Sequence, residues 1–412
     1  MNTINSKKNI IWNMIGTTFN AFNSLFFMMI VTRVNGLKDS GIFTLAFSLA
    51  CLFCIIGGYE GRVFQVTDVK GEYSDLEYII HRIITSVIMM LLVISYCIFM
   101  KYDTYKTWIT ILLCFMKCLE YLSDVFYGIF QKNDSLYLVG QSYFYKSLFS
   151  LILFISVDLI THNLLLSCIS LDVVWILFLI LFDLRKLRLH IKESHTLDIK
   201  NIILLFKTGF FSFAILFLSI YLVNAQKYAL DGLVSEDLQA IFGIVLMPAT
   251  IISLAVQYLL QPILNNMANF YSQGMKREFN GLVFKAILLI LAFGIVCLIG
   301  AFLLGAPVLS LLYGIDISSY KTLLMLIVAG GVLYSFSTLL SAALTTIRYT
   351  FIQFIVFSIT SIFTFFFSRL LIQSLSIYGA SLAYLVTMIF QFSLYIGIYL
   401  IILKRVHFKE NL

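Results

Sequence analysis

Charge is scarce in this 412-residue chain: Asp, Glu, Lys and Arg together make up 12%, where an ordinary soluble domain carries about a quarter. Treated as soluble, a chain of this length would form about two or three domains. Each would need a polar surface that these residues cannot supply. Proline is nearly absent at three residues, which excludes Pro-rich linkers, and no low-complexity tract occurs. Soluble enzymes, disordered scaffolds and single-span receptors are therefore excluded.

Chemical motifs are also missing. The seven cysteines all fall in apolar runs, and the one CxxC, Cys51 to Cys54, has no second pair or nearby His, so metal or redox use is not expected. The five histidines form no HExxH, and no GxSxG occurs. A phosphate loop is missed at Gly140–Ser147 (GQSYFYKS), where Tyr145 stands in place of the required Gly. No enzyme activity and no cofactor are expected. Uphill work must draw on an ion gradient, the membrane potential or consumption of product outside. The net charge of +7 sits on no soluble basic module, so nucleic acid is not an expected partner.

What the chain has is apolar length. Its 61% hydrophobic content matches about a dozen spans of about 20 residues. Apolar windows fall near 10–32, 40–62, 79–100, 107–131, 136–160 and 163–182, then 203–224, 238–262, 282–305, 321–343, 349–372 and 377–403. The expected fold is an all-α polytopic membrane protein. Between the two sets lies its most charged stretch, DLRKLRLHIKESHTLDIKN from Asp183 to Asn201. The expected organisation is an N-terminal six-helix half at 1–182, a cytoplasmic linker at 183–202 and a C-terminal six-helix half at 203–412.

Most of the 28 Lys and Arg residues fall on one side when the N-terminus is placed in the cytoplasm, as the positive-inside rule requires. Arg82 counts there among the inner-loop charges. Both termini are expected to be cytoplasmic. External loops are all short, which argues against a membrane-embedded polysaccharide polymerase.

The sharpest feature lies in the fourth span. Lys117, Glu120, Asp124, Tyr127 and Gln131 recur at helical spacing and form one stripe. A lone ionisable group at membrane depth costs at least ~2.5–3.5 kcal/mol on insertion scales, so such a face must meet water, partner charges or substrate. An antiparallel hairpin turning at Asn133-Asp134 places Glu120 level with Lys146, and the expectation is that the two pair and border a cavity. A buried ion pair that only fixes helix register is the plainer alternative. A second polar stripe, Asn13, Thr17, Asn20 and Ser24, lies on the first span. Arg62, after GGYEG at the end of the second span, either anchors the topology or points into a cavity mouth, where its fork suits phosphate. Lys207, Asn224 and Lys227 flank or enter the seventh span, with Lys207 placed to snorkel to the interface. Pro248 interrupts the eighth span and Pro262 ends it; Gly330-Gly331 allows close contact in the tenth.

The stretches RVNGLKDSGIFTL from Arg33, GYEGRVFQVTD from Gly58, KCLEYLSDVFYGIFQ from Lys117, LVNAQKYALD from Leu222 and FGIVLMP from Phe242, with Gln261-Pro262, resemble bacterial O-antigen and capsular polysaccharide flippases. These belong to the multidrug/oligosaccharidyl-lipid/polysaccharide exporter superfamily. The resemblance implies two six-helix lobes around a central cavity, alternating access, and transfer of an undecaprenyl-diphosphate-linked oligosaccharide to the outer leaflet of the bacterial cytoplasmic membrane. It further implies cationic contacts to the diphosphate, for which Arg62, Lys117, Lys146 and Lys227 are the matching positions. Glu120, Asp124 and Asn224 complete the candidate cavity set. A coupling ion, proton or sodium, and the glycan polymerase and export machinery are the other expected partners. A cation-coupled multidrug exporter of the same fold is the alternative, with Glu120 and Asp124 as its cation ligands.

Overall fold

The structure, a computed structural model, describes residues 3–68, 70–191 and 197–405. Residues 192–196 of the expected linker and the expected cytoplasmic C-terminal end, 406–412, lie outside the described residues. All regular structure within them is helical.

Among the described residues, twelve long helices follow in chain order: α1 (Thr3–Val34), α2 (Gly36–Gly58), α3 (Asp75–Phe99), α4 (Thr104–Lys132), α5 (Leu136–Thr161), α6 (Leu164–Leu187), α7 (Ile199–Leu230), α8 (Glu236–Ser272), α9 (Lys276–Tyr313), α10 (Lys321–Thr346), α11 (350–375) and α12 (377–405). The last two are separated by one residue, Ser376, whose backbone leaves the helix at φ 53° and ψ −134°. Ten helical segments among the described residues are long and apolar enough to cross a membrane, with α11 and α12 taken as one. Helix α4 is as long as the others, but Lys117, Glu120 and Asp124 hold it below that apolar standard.

Helix ends follow local chemistry. Ser74 caps α3 by accepting from the Glu77 N–H, while Glu77 reaches back to the Ser74 N–H, a reciprocal box that satisfies two otherwise unpaired donors. The Asp103 carboxylate accepts from the Lys106 N–H at the start of α4. Helix α2 stops because Tyr59 and Glu60 both take left-handed backbone (φ 44° and 54°) before the short helix Gly61–Thr67. Side chains such as Ile98, Phe99, Leu303 and Leu304 are exposed. On a protein with this composition they are the surface that hydrocarbon covers.

Pro248 and Pro262 both lie inside the continuous helix α8. Pro262 therefore does not end the eighth span; the helix runs ten residues further, to Ser272. A proline can sit within a spanning helix where neighbours re-satisfy the freed carbonyl.

The chain packs as two compact units, Met1–Ile220 and Tyr221–Leu412. This division falls within α7, whereas the charge-based division lies at 183–202. In the first unit α1 lies along α5 at a glycine crossing. A Cβ placed on Gly16 would sit 2.1 Å from the Gly140 carbonyl oxygen, and one on Gly140 would sit 2.1 Å from the backbone of Trp12. In the second unit Gly331 admits Ala249 of α8 and Gly330 admits the Tyr384 ring. Close packing is what this glycine pair provides.

Candidate functional site

The α4 stripe is one face of a helix, and nearly every member meets a partner from a different element of the first unit. The break at Tyr59-Glu60 turns the chain so that Arg62 points back at α4. Its two terminal nitrogens divide: Nη1 donates to Asp124 Oδ1 at 3.0 Å and Nη2 to Gln131 Oε1 at 3.0 Å. From α3, Arg82 Nη2 reaches the other Asp124 oxygen at 3.4 Å, while its Nη1 donates to the Gly57 carbonyl at 3.1 Å. One carboxylate thus serves two guanidiniums. The Arg82 side chain is 2% exposed and that of Arg62 24%.

Of these groups Arg62 and Asp124 border a cavity of about 200 Å³ whose wall also includes Glu60, Gly61, Glu120 and Tyr143. Leu216, from the part of α7 that packs in the first unit, also lines it. Tyr59 ties that part of α7 down: its hydroxyl donates to the Phe206 carbonyl at 2.9 Å and its ring stacks on Phe213.

Higher on the stripe, Lys117 Nζ lies 2.6 Å from Glu120 Oε2. Asn20 of α1 donates to Glu120 Oε1 at 3.0 Å and accepts from the Ser147 hydroxyl at 2.9 Å. The expected Glu120–Lys146 pair does not form. Glu120 is held by Lys117 and by Asn20 of α1, which in turn meets Ser147, whereas Lys146 reaches α4 one turn further along, at Ser123 and Tyr127. Lys146 pairs instead with Asp183 of α6 and also donates to Ser123 Oγ at 2.6 Å and Tyr127 Oη at 3.1 Å. Ser142 donates to the second Asp183 oxygen. Both charged side chains are wholly buried, so Lys146 does not border the cavity. Asp183 sits at the end of a wide π-helical turn, Leu179–Asp183, a local bulge of the sort that re-aims side chains.

The structure therefore brings Arg62, Glu120 and Asp124 to one cavity, sets Lys117 beside it and seals Lys146 behind Tyr127. Asn224 and Lys227 belong to the second unit, where the Gln239 side chain donates to the Lys227 carbonyl at 2.9 Å. On the α1 stripe, Asn20 joins the network while Thr17 bonds to its own helix. Arg82 and Asp183 were missed as site residues. Arg82 was legible in the buried spacing Tyr78, Arg82, Thr85, Met89 and Val93 of α3, which puts it on the inward face. No group of three or more His, Cys, Asp or Glu that could hold a metal ion occurs among the described residues. Chemically, the arrangement offers anchored guanidinium forks to an anion, and hydrogen bonds to a charged group of this kind are stronger than neutral ones.

No sequence-family model matches the chain. It is 25% identical over 387 residues, 91% of this chain and 94% of the other, to a capsular polysaccharide biosynthesis protein, CapF, of Staphylococcus aureus. Among solved structures it is similar to the lipid II flippase MurJ in an inward closed conformation, with TM-score 0.71 and 16% identity, covering 98% of this chain and 93% of that one. It is also similar to an inward-facing multidrug resistance MATE family transporter of the MOP superfamily, with TM-score 0.65 and 13% identity, covering 97% and 99%. At these identities the structural likeness establishes the fold alone: that of an all-α polytopic membrane protein.

Proposed function

We propose that this chain, with the fold of the MOP superfamily and a capsular polysaccharide biosynthesis protein among its relatives, is a polysaccharide flippase. It moves an undecaprenyl-diphosphate-linked oligosaccharide repeat unit from the cytoplasmic to the outer leaflet for surface polysaccharide, capsule or O-antigen. The observation that carries this reading is the Arg62 fork on the wall of a cavity within the first unit, beside Asp124. A diphosphate is the part of such a substrate that hydrocarbon rejects most strongly, and a planar fork suits its oxygens. The prenyl tail stays in lipid while the headgroup follows a polar route.

Alternating access between the six-helix halves 1–182 and 203–412, joined by 183–202, moves the headgroup without making or breaking a covalent bond. The protein lies in the bacterial cytoplasmic membrane with both termini cytoplasmic. A proton or sodium gradient supplies uphill work, and a glycan polymerase consumes the product outside. Asn224 and Lys227 extend the substrate route in the second unit.

The MATE fold similarity favours one other reading, a cation-coupled multidrug exporter. Deletion in the native host separates the two. Loss of surface glycan with repeat units trapped inside supports the flippase; drug hypersensitivity with normal glycan supports the exporter. Complementation with Arg62→Ala should restore less export than wild type at equal protein level, and full restoration would reduce Arg62 to a topology anchor.

A further inference from the structure

Resting on the flippase reading, we propose that Asp124 is a built-in stand-in for the substrate's anion: its carboxylate occupies the seat that Arg62 and Arg82 offer to two diphosphate oxygens, and substrate enters by displacing it.

The geometry of the two forks is the argument. Each guanidinium has one arm on a neutral anchor and one on Asp124. Arg62 holds the Gln131 amide oxygen and Arg82 the Gly57 carbonyl, both with one terminal nitrogen. The other nitrogens meet at separate oxygens of one carboxylate, at 3.0 and 3.4 Å. If Asp124 swings away, the anchoring arms keep both forks in place and leave two donors aimed at a shared vacancy. Arginine forks hold carboxylate and phosphate in the same bidentate manner.

Gly61 lets the buried member take part. A Cβ there would lie 3.2 Å from Arg82 Nη2, and Gly61 lines the cavity, so position 61 places no side chain between this nitrogen and the cavity. Two other acids line the same cavity. Glu120 is already engaged by Lys117 and Asn20, and it draws on neither fork. Glu60 lies next to the short helix that carries Arg62 and opposes any incoming anion. The site therefore holds two cations poised for an anion, together with an internal competitor. Such competition lowers apparent affinity by the fraction of time the seat is free, and it gives the forks a partner once substrate has left.

The test uses the full chain purified in detergent, with farnesyl diphosphate and inorganic pyrophosphate as probes and farnesol as the control for the tail. Asp124→Asn should bind both diphosphates about tenfold more tightly than wild type. Adding Arg62→Ala or Arg82→Ala to that variant should remove the gain. Should Asp124→Asn fold poorly with two guanidiniums released, pyrophosphate should raise its melting temperature more than that of wild type. Equal or weaker binding by Asp124→Asn, with no greater stabilisation by pyrophosphate, overturns the stand-in and leaves the flippase reading intact. Failure of both proteins to distinguish farnesyl diphosphate from farnesol overturns the two together.

Discussion

Lys146 and Asp183 show what burial does to a pair of charges. Both side chains are fully buried, and Ser123, Tyr127 and Ser142 supply further hydrogen bonds. Breaking such a pair strands a charge and costs about 3–5 kcal/mol, whereas replacing both partners by apolar groups is often close to neutral. We expect Lys146→Met and Asp183→Leu each to lower the melting temperature of the purified protein sharply, and the double variant to recover most of the loss. Additive losses in that cycle would mean that the two charges do not depend on each other. The Tyr127 ring, with Lys146 at its hydroxyl and the Arg62 guanidinium 5.9 Å from its centroid, separates this pair from the cavity. Export by the double variant should therefore fall far less than export by Arg62→Ala.

At the scale of the helix, the first unit depends on backbones that approach through glycine. Gly16→Val should disrupt the crossing of α1 and α5, because the added carbons meet the Gly140 carbonyl and the backbone has no room to yield. Overpacking of this sort costs about 1–3 kcal/mol or more. Gly281→Ala, where nothing lies within 4 Å of the new carbon, should leave yield and melting temperature unchanged; equal behaviour of the two variants would remove the crossing from the account. Helix α4 also shows what a single sequence reveals. Its 117–120–124–127–131 spacing put the five polar residues on one face correctly, because periodicity along one helix is a local property. Their partners were not legible, since they come from α1, α3, α5 and the short helix after α2, and packing order is not chain order. Glu120 was assigned to Lys146 because hairpin arithmetic knows only consecutive helices, and the acid that Lys146 meets, Asp183, comes from α6 while Glu120 is taken by Lys117 and Asn20. Arg82 was counted with loop charges for want of one test, the inward spacing of α3. Asp183 was assigned to the linker because it opens the most charged stretch, although its own turn still belongs to α6.

Over the whole molecule, the apolar windows matched the order of the long helices, since a bilayer requires about 20 apolar residues of each span. One departure had a local cause, since α8 runs through Pro262; the break between α11 and α12 at Ser376 falls in the gap between the windows 349–372 and 377–403. The proposed twelve crossings carry a consequence for sidedness. Reporters fused at Asp103 and Ser235, the caps that begin α4 and α8, should read external, and a reporter after Leu412 should read cytoplasmic. An external C-terminus would require the crossings to be recounted.

The pairing of Lys146 with Asp183 has a further meaning during synthesis on the ribosome. The acid lies 37 residues after the base, so at about 5–20 residues per second the lysine waits roughly 2–7 s for its counter-charge to be made. During that interval α5 carries a lysine whose acidic partner has not yet been made, and we expect the insertion machinery to retain it. Nascent chains stopped at Phe178 should therefore stay crosslinked to the insertase or be degraded, while chains stopped at Ile191 should be released into the bilayer. Pulse-labelling of the two truncations reads this directly, and equal release would show that α5 inserts without waiting for α6.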